Sequence, residues 1–197
     1  MKNKKMAGMF VIGGLLVAGA AQAETTPQDV SSTLSISGVV LSSDKGCRVS
    51  LSKENLYFNM NAGEVIYQGH NATQPQTVTV SIQDNDINGN FCSKAVEAGQ
   101  IAVKFVGKAD DADDADGTAL ANQYATAEDA AKGVGFGFFN ENNAPIAINS
   151  GSLPVSNIGP VTNTPSVTFG VQPVRLTNTE ITAGMIAGSV TVEIERL

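Results

Sequence analysis

The chain is dominated by short stretches in which apolar and polar residues alternate one by one. Because successive side chains of a β-strand point to opposite faces, this period of two predicts strands with one buried face. Clusters of Asn, Gly, Asp and Pro, such as DNDINGN, NENNAP and GPVTNTP, separate the stretches and predict turns. The apolar positions of the central strands are Val78, Val80, Ile82, Ile101, Val103, Phe105, Val134, Phe136, Phe138, Val167, Phe169 and Val171. The pattern predicts a single antiparallel β-sandwich in which each sheet keeps one face in water.

One stretch departs from this alternation and allows a helical turn. In TAEDAAKG, residues 126–133, Thr126 can cap a turn that has Asp129 at its third helical position. A surface loop suits the same residues equally well, so both interpretations stay open.

The first 23 residues have the three parts of an export signal. A basic head with three lysines precedes an apolar run at 9–20, and small residues at 21–23 form a cleavage site. A membrane-spanning helix needs about 20 apolar residues, and this run is shorter. We therefore expect residues 1–23 to be a signal peptide that is cut before Glu24, with a retained anchor helix as the alternative.

The net negative charge of the chain limits the kinds of molecule that it can bind. The full chain has 12 basic and 19 acidic residues, and removal of the signal with its three lysines leaves 174 residues, 9 of them basic, with a net charge of −10. No cluster of Lys and Arg in the mature sequence offsets this negative field, which repels nucleic acid and anionic membrane surfaces. We therefore expect protein partners and no nucleic acid.

The two cysteines, Cys47 and Cys92, both lie in the part of the chain that is exported, where thiols are oxidised. We expect them to form one disulfide. A zinc site is the alternative, but zinc in structural sites has four ligands and His70 is the single histidine of the sequence. The sequence therefore favours a disulfide over a metal site.

Motifs for catalysis and for calcium binding fail at specific positions. Residues 110–117, DDADDADG, look like a calcium loop, but with Gly117 at the sixth position Ala112 and Gln123 stand where carboxylates are required. A hydrolase would need His70 as its base, and the sequence has no G-x-S-x-G nucleophile motif. We therefore expect a solvated acidic loop and an exposed histidine in a protein that is not an enzyme and needs no cofactor.

A predicted strand of alternating apolar and polar residues lies near each end of the mature chain. The apolar face of each strand must be buried against other residues. SSTLSISGVV, residues 31–40, follows a polar leader, and AGSVTVEIERL spans residues 187–197. In one interpretation a complete sandwich pairs both strands within its own sheets.

The second interpretation comes from a resemblance to a known family. Along essentially its whole length, the mature sequence resembles the type 1-like fimbrial (pilus) subunits of the chaperone-usher pathway. The likeness rests on the signal peptide, the alternating N-terminal extension, a first cysteine in DKGCRVSL and a second just after TVTVSIQDND. IAVKFVGKA and the strand-turn-strand GVGFGFFNENNAPIAI match as well. At the C-terminal end, the matching residues are a glycine fourteenth from the last residue and alternating apolar positions: Gly184, Val190, Val192 and Ile194.

The resemblance implies an incomplete immunoglobulin-like β-sandwich, residues 38–197, that a donated strand completes. The donor segment is residues 24–37 of the next subunit, as in donor-strand complementation. The implied donor residues are Val30, Ser32, Leu34 and Ile36, with Ser32 at a position where the family usually has glycine. The positions implied to line the acceptor groove and to contact a periplasmic chaperone are Gly184, Val190, Val192 and Ile194.

The implied function is that of a structural subunit of a surface fimbria that serves adhesion. Its implied partners are other pilin subunits, in a homopolymer or a mixed filament, the periplasmic chaperone and an outer-membrane usher. One departure from the family is Arg196, which stands where a penultimate aromatic residue is usual. A self-complete secreted β-sandwich binding module of lectin-like kind is the alternative function.

Overall fold

Nearly all regular structure in the described part of the chain is β-strand. The computed structural model describes residues 29–38, 46–86, 88–109, 117–158, 164–177 and 179–197. The predicted signal peptide, the leader at 24–28 and residues 110–116 of the acidic loop lie outside these ranges. None of the helices among the described residues combines the length and the apolar character that crossing a bilayer requires.

Thirteen strands and two short helices make up the regular structure of the described residues. The strands are β1 (Asp29–Gly38), β2 (Cys47–Leu51), β3 (Asn55–Asn61), β4 (Ile66–Tyr67), β5 (Gln76–Asp84), β6 (Ile101–Gly107), β7 (Ala119–Leu120), β8 (Val134–Phe139), β9 (Pro145–Ile146), β10 (Ser152–Pro154), β11 (Asn157–Ile158), β12 (Pro165–Arg175) and β13 (Met185–Arg196). The helices are a 3-10 turn at Ala62–Glu64 and the α-helix α1 (Phe91–Glu97).

The strands form two sheets with the main core between them. The smaller sheet has the order β10-β6-β13-β1-β3, and the larger sheet follows β2-β5-β12-β8-β7, with β4 and β11 beside β12 and β9 beside β8. Pairing is antiparallel except between β1 and β13 and between β4 and β12. The predicted all-β sandwich is confirmed, although two of its strand pairs are parallel and β1 completes the smaller sheet of its own chain.

The core is built from the inward positions that the alternation predicts. Three phenylalanine rings meet at its centre, Phe105 of β6, Phe138 of β8 and Phe169 of β12, with ring centroids 4.7 to 6.0 Å apart. All three are fully buried, as is the whole inward row of β5. Aromatic pairs at such separations contribute about 0.5–1.5 kcal/mol beyond the area that they bury.

The part of the larger sheet around β8 is buried on both faces, contrary to the prediction, whereas β2 and β5 keep one face towards solvent. All six residues of β8 are buried, and Phe139 belongs to a second, smaller cluster away from the main core. The members of this cluster are Ala72, Ala119, Phe139, Val174 and Leu176, with Ile66 packed against them. Gln172, 1% exposed, fixes a neighbouring loop because its Oε1 accepts the N–H groups of Thr73 and Gln74 at 3.1 and 3.0 Å. Segments remote in sequence cover this face, so local alternation could not reveal its burial.

The helix α1 lies outside the stretch for which the sequence allows a helical turn. Its buried residues Cys92, Ala95 and Val96 have the i, i+3, i+4 spacing of one helical face. Gly99, at φ 68°, ends it by donating its N–H to the carbonyl of Val96 at 2.9 Å. Residues 126–133 form turns, so the loop interpretation is the correct one there.

A disulfide joins α1 to β2. Cys47 is the first residue of β2, and its Cα lies 5.7 Å from that of Cys92. Both cysteines are buried in the main core. The bond closes a loop across a sequence separation of 45 residues.

Replacing both cysteines by alanine is expected to lower the free energy of unfolding by about 4 kcal/mol, because the unfolded chain regains the entropy of the open loop. Urea denaturation of the wild type and the double variant measures this difference. An alkylating reagent added without reductant should leave the intact mass of the wild type unchanged. Two alkylated thiols would contradict the disulfide.

Candidate functional site: the groove between β3 and β13

The strand β1 fills a groove between two strands that are remote from each other in sequence. It runs antiparallel to β3 over residues 29–35 and parallel to β13 over residues 31–38. Without β1, both neighbours would present an unpaired row of N–H and C=O groups. We call the space that β1 occupies the β3/β13 groove.

Two side chains of β1 close the main core from the side of the groove. Leu34 is fully buried and Ile36 is 3% exposed, whereas Thr33, Ser35 and Ser37 face solvent. Burying an aliphatic side chain of this size contributes about 1.5–3 kcal/mol. Two of the predicted donor residues therefore occupy the groove of their own chain.

The backbone register places the other two predicted donor residues in the same groove. Ser32 lies opposite Phe58 of β3 and Ile186 of β13, and Val30 lies opposite Met60 of β3. All four predicted donor positions therefore lie on β1 at a spacing of two residues.

Large side chains of the larger sheet form the floor of the groove. Leu34 shares a rung with Leu56 of β3 and with Gly188 of β13. A Cβ on Gly188 would lie 3.0 Å from the side chain of Leu120 and 3.1 Å from that of Phe136. Because Gly188 has no side chain, Leu120 and Phe136 can pack against β13 beside Leu34. Gly188 was not among the residues predicted from the sequence.

The residues that the resemblance places on the C-terminal strand lie on or just before β13. Val190 and Val192 are buried, and Val190 shares a rung with Ile36. Ile194 is half-buried and lies beyond the end of β1. Gly184 directly precedes β13 and marks where this strand enters the sheet.

Gly184 packs against the segment 121–131 too closely for any side chain. Its φ is 154°, and a Cβ there would lie about 2.5 Å from the carbonyl oxygen of Asp129. The N–H of the next residue, Met185, donates to the same oxygen at 2.9 Å. Both the backbone conformation and the available space therefore require glycine at this position.

A buried asparagine holds the same segment against the first half of β13. The Nδ2 of Asn122 donates to the carbonyl of Ala131 at 3.0 Å, and its Oδ1 accepts the N–H groups of Tyr124 and Ala187, each at 3.0 Å. Because β6 pairs with only the second half of β13, the segment 121–131 takes the place of a neighbouring strand along the first half. Asn122 was not predicted from the sequence, because nothing local distinguishes it from a loop asparagine in water.

The C-terminal end of β13 is fixed on one side only in the described structure. The guanidinium of Arg196 lies 4.9 Å from the ring centroid of Phe91 in α1, and the N–H of Leu197 donates to the carbonyl of Gln100 at 3.0 Å. β1 ends opposite Val192, so it does not extend alongside the last residues of β13. The residue that departs from the family pattern, Arg196, thus contacts the chain's own helix.

The other candidate sites of the sequence have no catalytic or metal-binding geometry among the described residues. His70 is exposed, as predicted, and its ring lies 5.8 Å from that of Tyr67. In the described ranges, no group of three or more His, Cys, Asp and Glu side chains is placed to hold a metal ion.

The fold and the groove define a β-sandwich whose first strand lies inside a sheet, between β13 and the edge strand β3. The family named Fimbrial protein matches residues 34–195, a range that extends from the inward side chains of β1 almost to the end of β13. The chain therefore belongs to the fimbrial protein family. No curated protein sequence matches it significantly.

Two solved structures, a pilus rod subunit and a tip adhesin, are similar to this chain at low sequence identity. The P pilus rod subunit PapA is 11% identical with a TM-score of 0.48, over 80% of this chain and 96% of that chain. The CupB6 tip adhesin from Pseudomonas aeruginosa is 13% identical with a TM-score of 0.36, over 61% of this chain. This chain spans only 33% of the adhesin. The family assignment rests on the sequence match.

Proposed function

We propose that the chain is a structural subunit of a surface fimbria and that it polymerises by donor-strand exchange. In the filament, residues 24–37 of one copy fill the β3/β13 groove of the next copy. Membership of the fimbrial protein family supports the role in a fimbria. The role is structural, with other pilin subunits as partners, and the filament serves adhesion at the cell surface.

The observation that carries this proposal is the position of β1 inside the smaller sheet, between β13 and the edge strand β3. A strand inside a sheet is normally built into a fold by its connections on both sides, but β1 is joined to all later strands only through residues 39–46. It can therefore leave the groove without unthreading any other strand. The β1 strand of a second copy has the same sequence, so it carries the same Leu34 and Ile36 to the core.

An empty groove also accounts for the partners that we propose on the way to the surface. The unpaired edges of β3 and β13 and the exposed floor beneath them would promote aggregation. A periplasmic chaperone that covers β13, at Gly184, Val190, Val192 and Ile194, protects the subunit after export and delivers it to an outer-membrane usher. In the filament, slow dissociation of the buried strand provides the durability that a surface fibre needs.

Removing residues 24–37 from the mature chain is expected to yield a subunit that accepts a donor strand but cannot supply one. The truncated subunit should bind a synthetic peptide of residues 29–38, resist unfolding only when peptide or chaperone is present, and form no filaments in electron micrographs. Chaperone-bound full-length subunits are the matched control and should polymerise. A peptide with Asp in place of Leu34 should not bind.

Two results would contradict donor-strand exchange. One is normal polymerisation of the truncated subunit. The other is a truncated subunit that stays unfolded in the presence of both chaperone and peptide.

A self-complete secreted binding module of lectin-like kind is the second candidate, and one observation favours it. β1 completes the sheet of its own chain, and a recess of about 360 Å³ opens beside its solvent face, near Thr33, Gln123 and Tyr124. Such a module would be a stable monomer at all concentrations and would lose its fold on truncation. The truncation experiment therefore separates the two functions.

A further inference from the structure

We propose that a patch at one end of the larger sheet binds the acidic segment, residues 110–116, of a second copy of the chain. The patch consists of Arg175, Tyr67 and His70, and we call it the Arg175 patch. The inference rests on the proposed function, because it adds a second contact between neighbouring copies in a fimbria. This contact is separate from the β3/β13 groove and involves no exchanged strand.

The side chain of Arg175 is held in place by an aromatic ring, and no described carboxylate pairs with its charge. Arg175 is the last residue of β12 and lies opposite Tyr67 of β4. Its guanidinium carbon lies 4.4 Å from the centroid of the Tyr67 ring, and that ring lies 5.8 Å from the ring of His70. The side chain is half-buried, and its Nε is buried without a hydrogen-bond partner among the described residues.

The chemistry of the Arg175 patch suits a carboxylate. A guanidinium is a planar fork of N–H donors that binds a carboxylate through two parallel hydrogen bonds. Because Nε is buried, the terminal nitrogens Nη1 and Nη2 are the donors that a ligand can reach. Packing on Tyr67 fixes the plane of the fork, so less conformational entropy is lost on binding. Tyr67 and His70 are exposed beside it and add contact area.

The sequence of the chain itself supplies a matching ligand. The acidic segment has five aspartates in seven residues, which is the densest run of carboxylates in the sequence. Copies of a mature chain with a net charge of −10 repel one another. A contact that places these aspartates on an arginine reduces the repulsion and selects the orientation of the two copies.

The register of the larger sheet places the Arg175 patch and the attachment of the acidic segment at opposite ends of β8. Arg175 lies opposite Val134, the first residue of β8, and Phe139 is the last residue of this strand. β7 runs antiparallel to β8, so Gly117, which precedes β7, lies toward Phe139. The six residues of β8 span about 17 Å, so the acidic segment begins far from the Arg175 patch of its own chain.

A contact between two different surfaces of one chain can repeat from copy to copy. Such a heterologous contact generates an open filament unless its rotation closes a ring. The Arg175 patch of one copy and the acidic segment of the next can therefore extend along a fimbria together with strand exchange.

A labelled peptide of residues 108–118, KADDADDADGT, tests this contact without any filament. We expect the peptide to bind the full mature subunit and to bind the Arg175→Gln variant about tenfold more weakly, because the charge-assisted hydrogen bonds are lost. An increase in NaCl from about 50 mM to about 500 mM should weaken binding to the wild type, since salt screens the charges. Fluorescence anisotropy measures each dissociation constant.

Two controls distinguish the Arg175 patch from the general effect of charge. Arg48→Gln removes an exposed guanidinium that donates to Gln83, and it should change the affinity by less than about twofold. A peptide with Asn in place of all five aspartates should not bind. Arg175→Lys keeps the charge without the planar fork and should bind with intermediate affinity. If circular dichroism shows that Arg175→Gln is unfolded, the Asn peptide and Arg175→Lys decide the matter.

Several results would overturn the contact between copies. They are a peptide that does not bind at millimolar concentration, an Asn peptide that binds equally well, and equal affinities of the wild type, Arg175→Gln and Arg175→Lys. Trigalacturonate, an acidic oligosaccharide, is a competing ligand; tighter binding of this sugar than of the peptide would assign the patch to a glycan and also overturn the contact.

Assembly of chaperone-bound subunits distinguishes this inference from the proposed function. Filaments of the Arg175→Gln variant should dissociate at lower NaCl than wild-type filaments, measured by sedimentation. A subunit that binds the peptide through Arg175 but never assembles supports the patch and overturns the fimbrial function. Filaments of subunits that do not bind the peptide support that function and overturn the patch.

Discussion

Replacing Leu34 by aspartate is expected to drive β1 out of the β3/β13 groove of the isolated subunit. A carboxylate on the rung of Leu56 and Gly188 would lose its hydration, which costs several kcal/mol, and the burial of the leucine is lost as well. We expect the free energy of unfolding to fall by about 4 kcal/mol. The decrease in the free energy of unfolding cannot exceed the free energy that holds β1 in the groove. The strand can leave the groove and keep the new carboxylate in water. Urea denaturation measures the loss, and limited proteolysis should cut within β1.

The matched control is Ser35→Asp, one residue further along the same strand. Ser35 faces solvent, so its replacement should change the free energy of unfolding by less than about 1 kcal/mol. Equal losses at the two positions would show that the inward face of β1 does not contribute to the core.

Replacing Gly184 by alanine is expected to damage the groove from its opposite side. The new Cβ would meet the carbonyl of Asp129, and alanine is strained at a φ of 154°. Such backbone strain alone costs about 1–3 kcal/mol, and the overlap adds to it. We therefore expect the free energy of unfolding to fall by about 3 kcal/mol or more, measured by urea denaturation.

Gly63 provides the matched control for this substitution. It lies in the exposed 3-10 turn, and a Cβ there would have no other atom within 4 Å. Gly63→Ala should change the free energy of unfolding by no more than about 0.5 kcal/mol. A comparable loss at both glycines would contradict the argument from close packing at Gly184.

The two substitutions test the donated strand and the groove that receives it independently of each other. The Leu34→Asp subunit keeps an intact groove and should bind a wild-type peptide of residues 29–38. The Gly184→Ala subunit has a displaced start of β13 and should bind the same peptide more weakly than the Gly63→Ala control. Fluorescence anisotropy of the labelled peptide measures both affinities.

The regular alternation allowed most of the main core to be predicted from the sequence. The apolar positions predicted in β5, β6 and β12 are all buried, because a strand face that packs on the core obeys the period of two. The strand-turn-strand around residues 134–146 is present as β8 and β9, with Asn140 accepting two backbone N–H groups in the turn. These features depend on contacts between residues close in sequence or on the face of a single strand.

The errors occurred where distant segments cover a surface or where an element is short. The seven residues of α1 give only two helical turns of pattern, too few to distinguish from a loop. The second cluster around Phe139 exists because loops from elsewhere in the chain lie on the larger sheet. Asn122 looks like a solvated loop residue, and only the approach of β13 buries it.

The alternation of apolar and polar residues was enough to predict that β1 has an inward face with Leu34 and Ile36, and that β13 alternates in the same way. It did not determine which edges β1 joins, because a period of two specifies a face and contains no information about the partner. Only the folded chain shows the partner: β1 pairs with β13, about 150 residues away in the chain, and runs parallel to it, because contacts between such distant segments leave no local pattern.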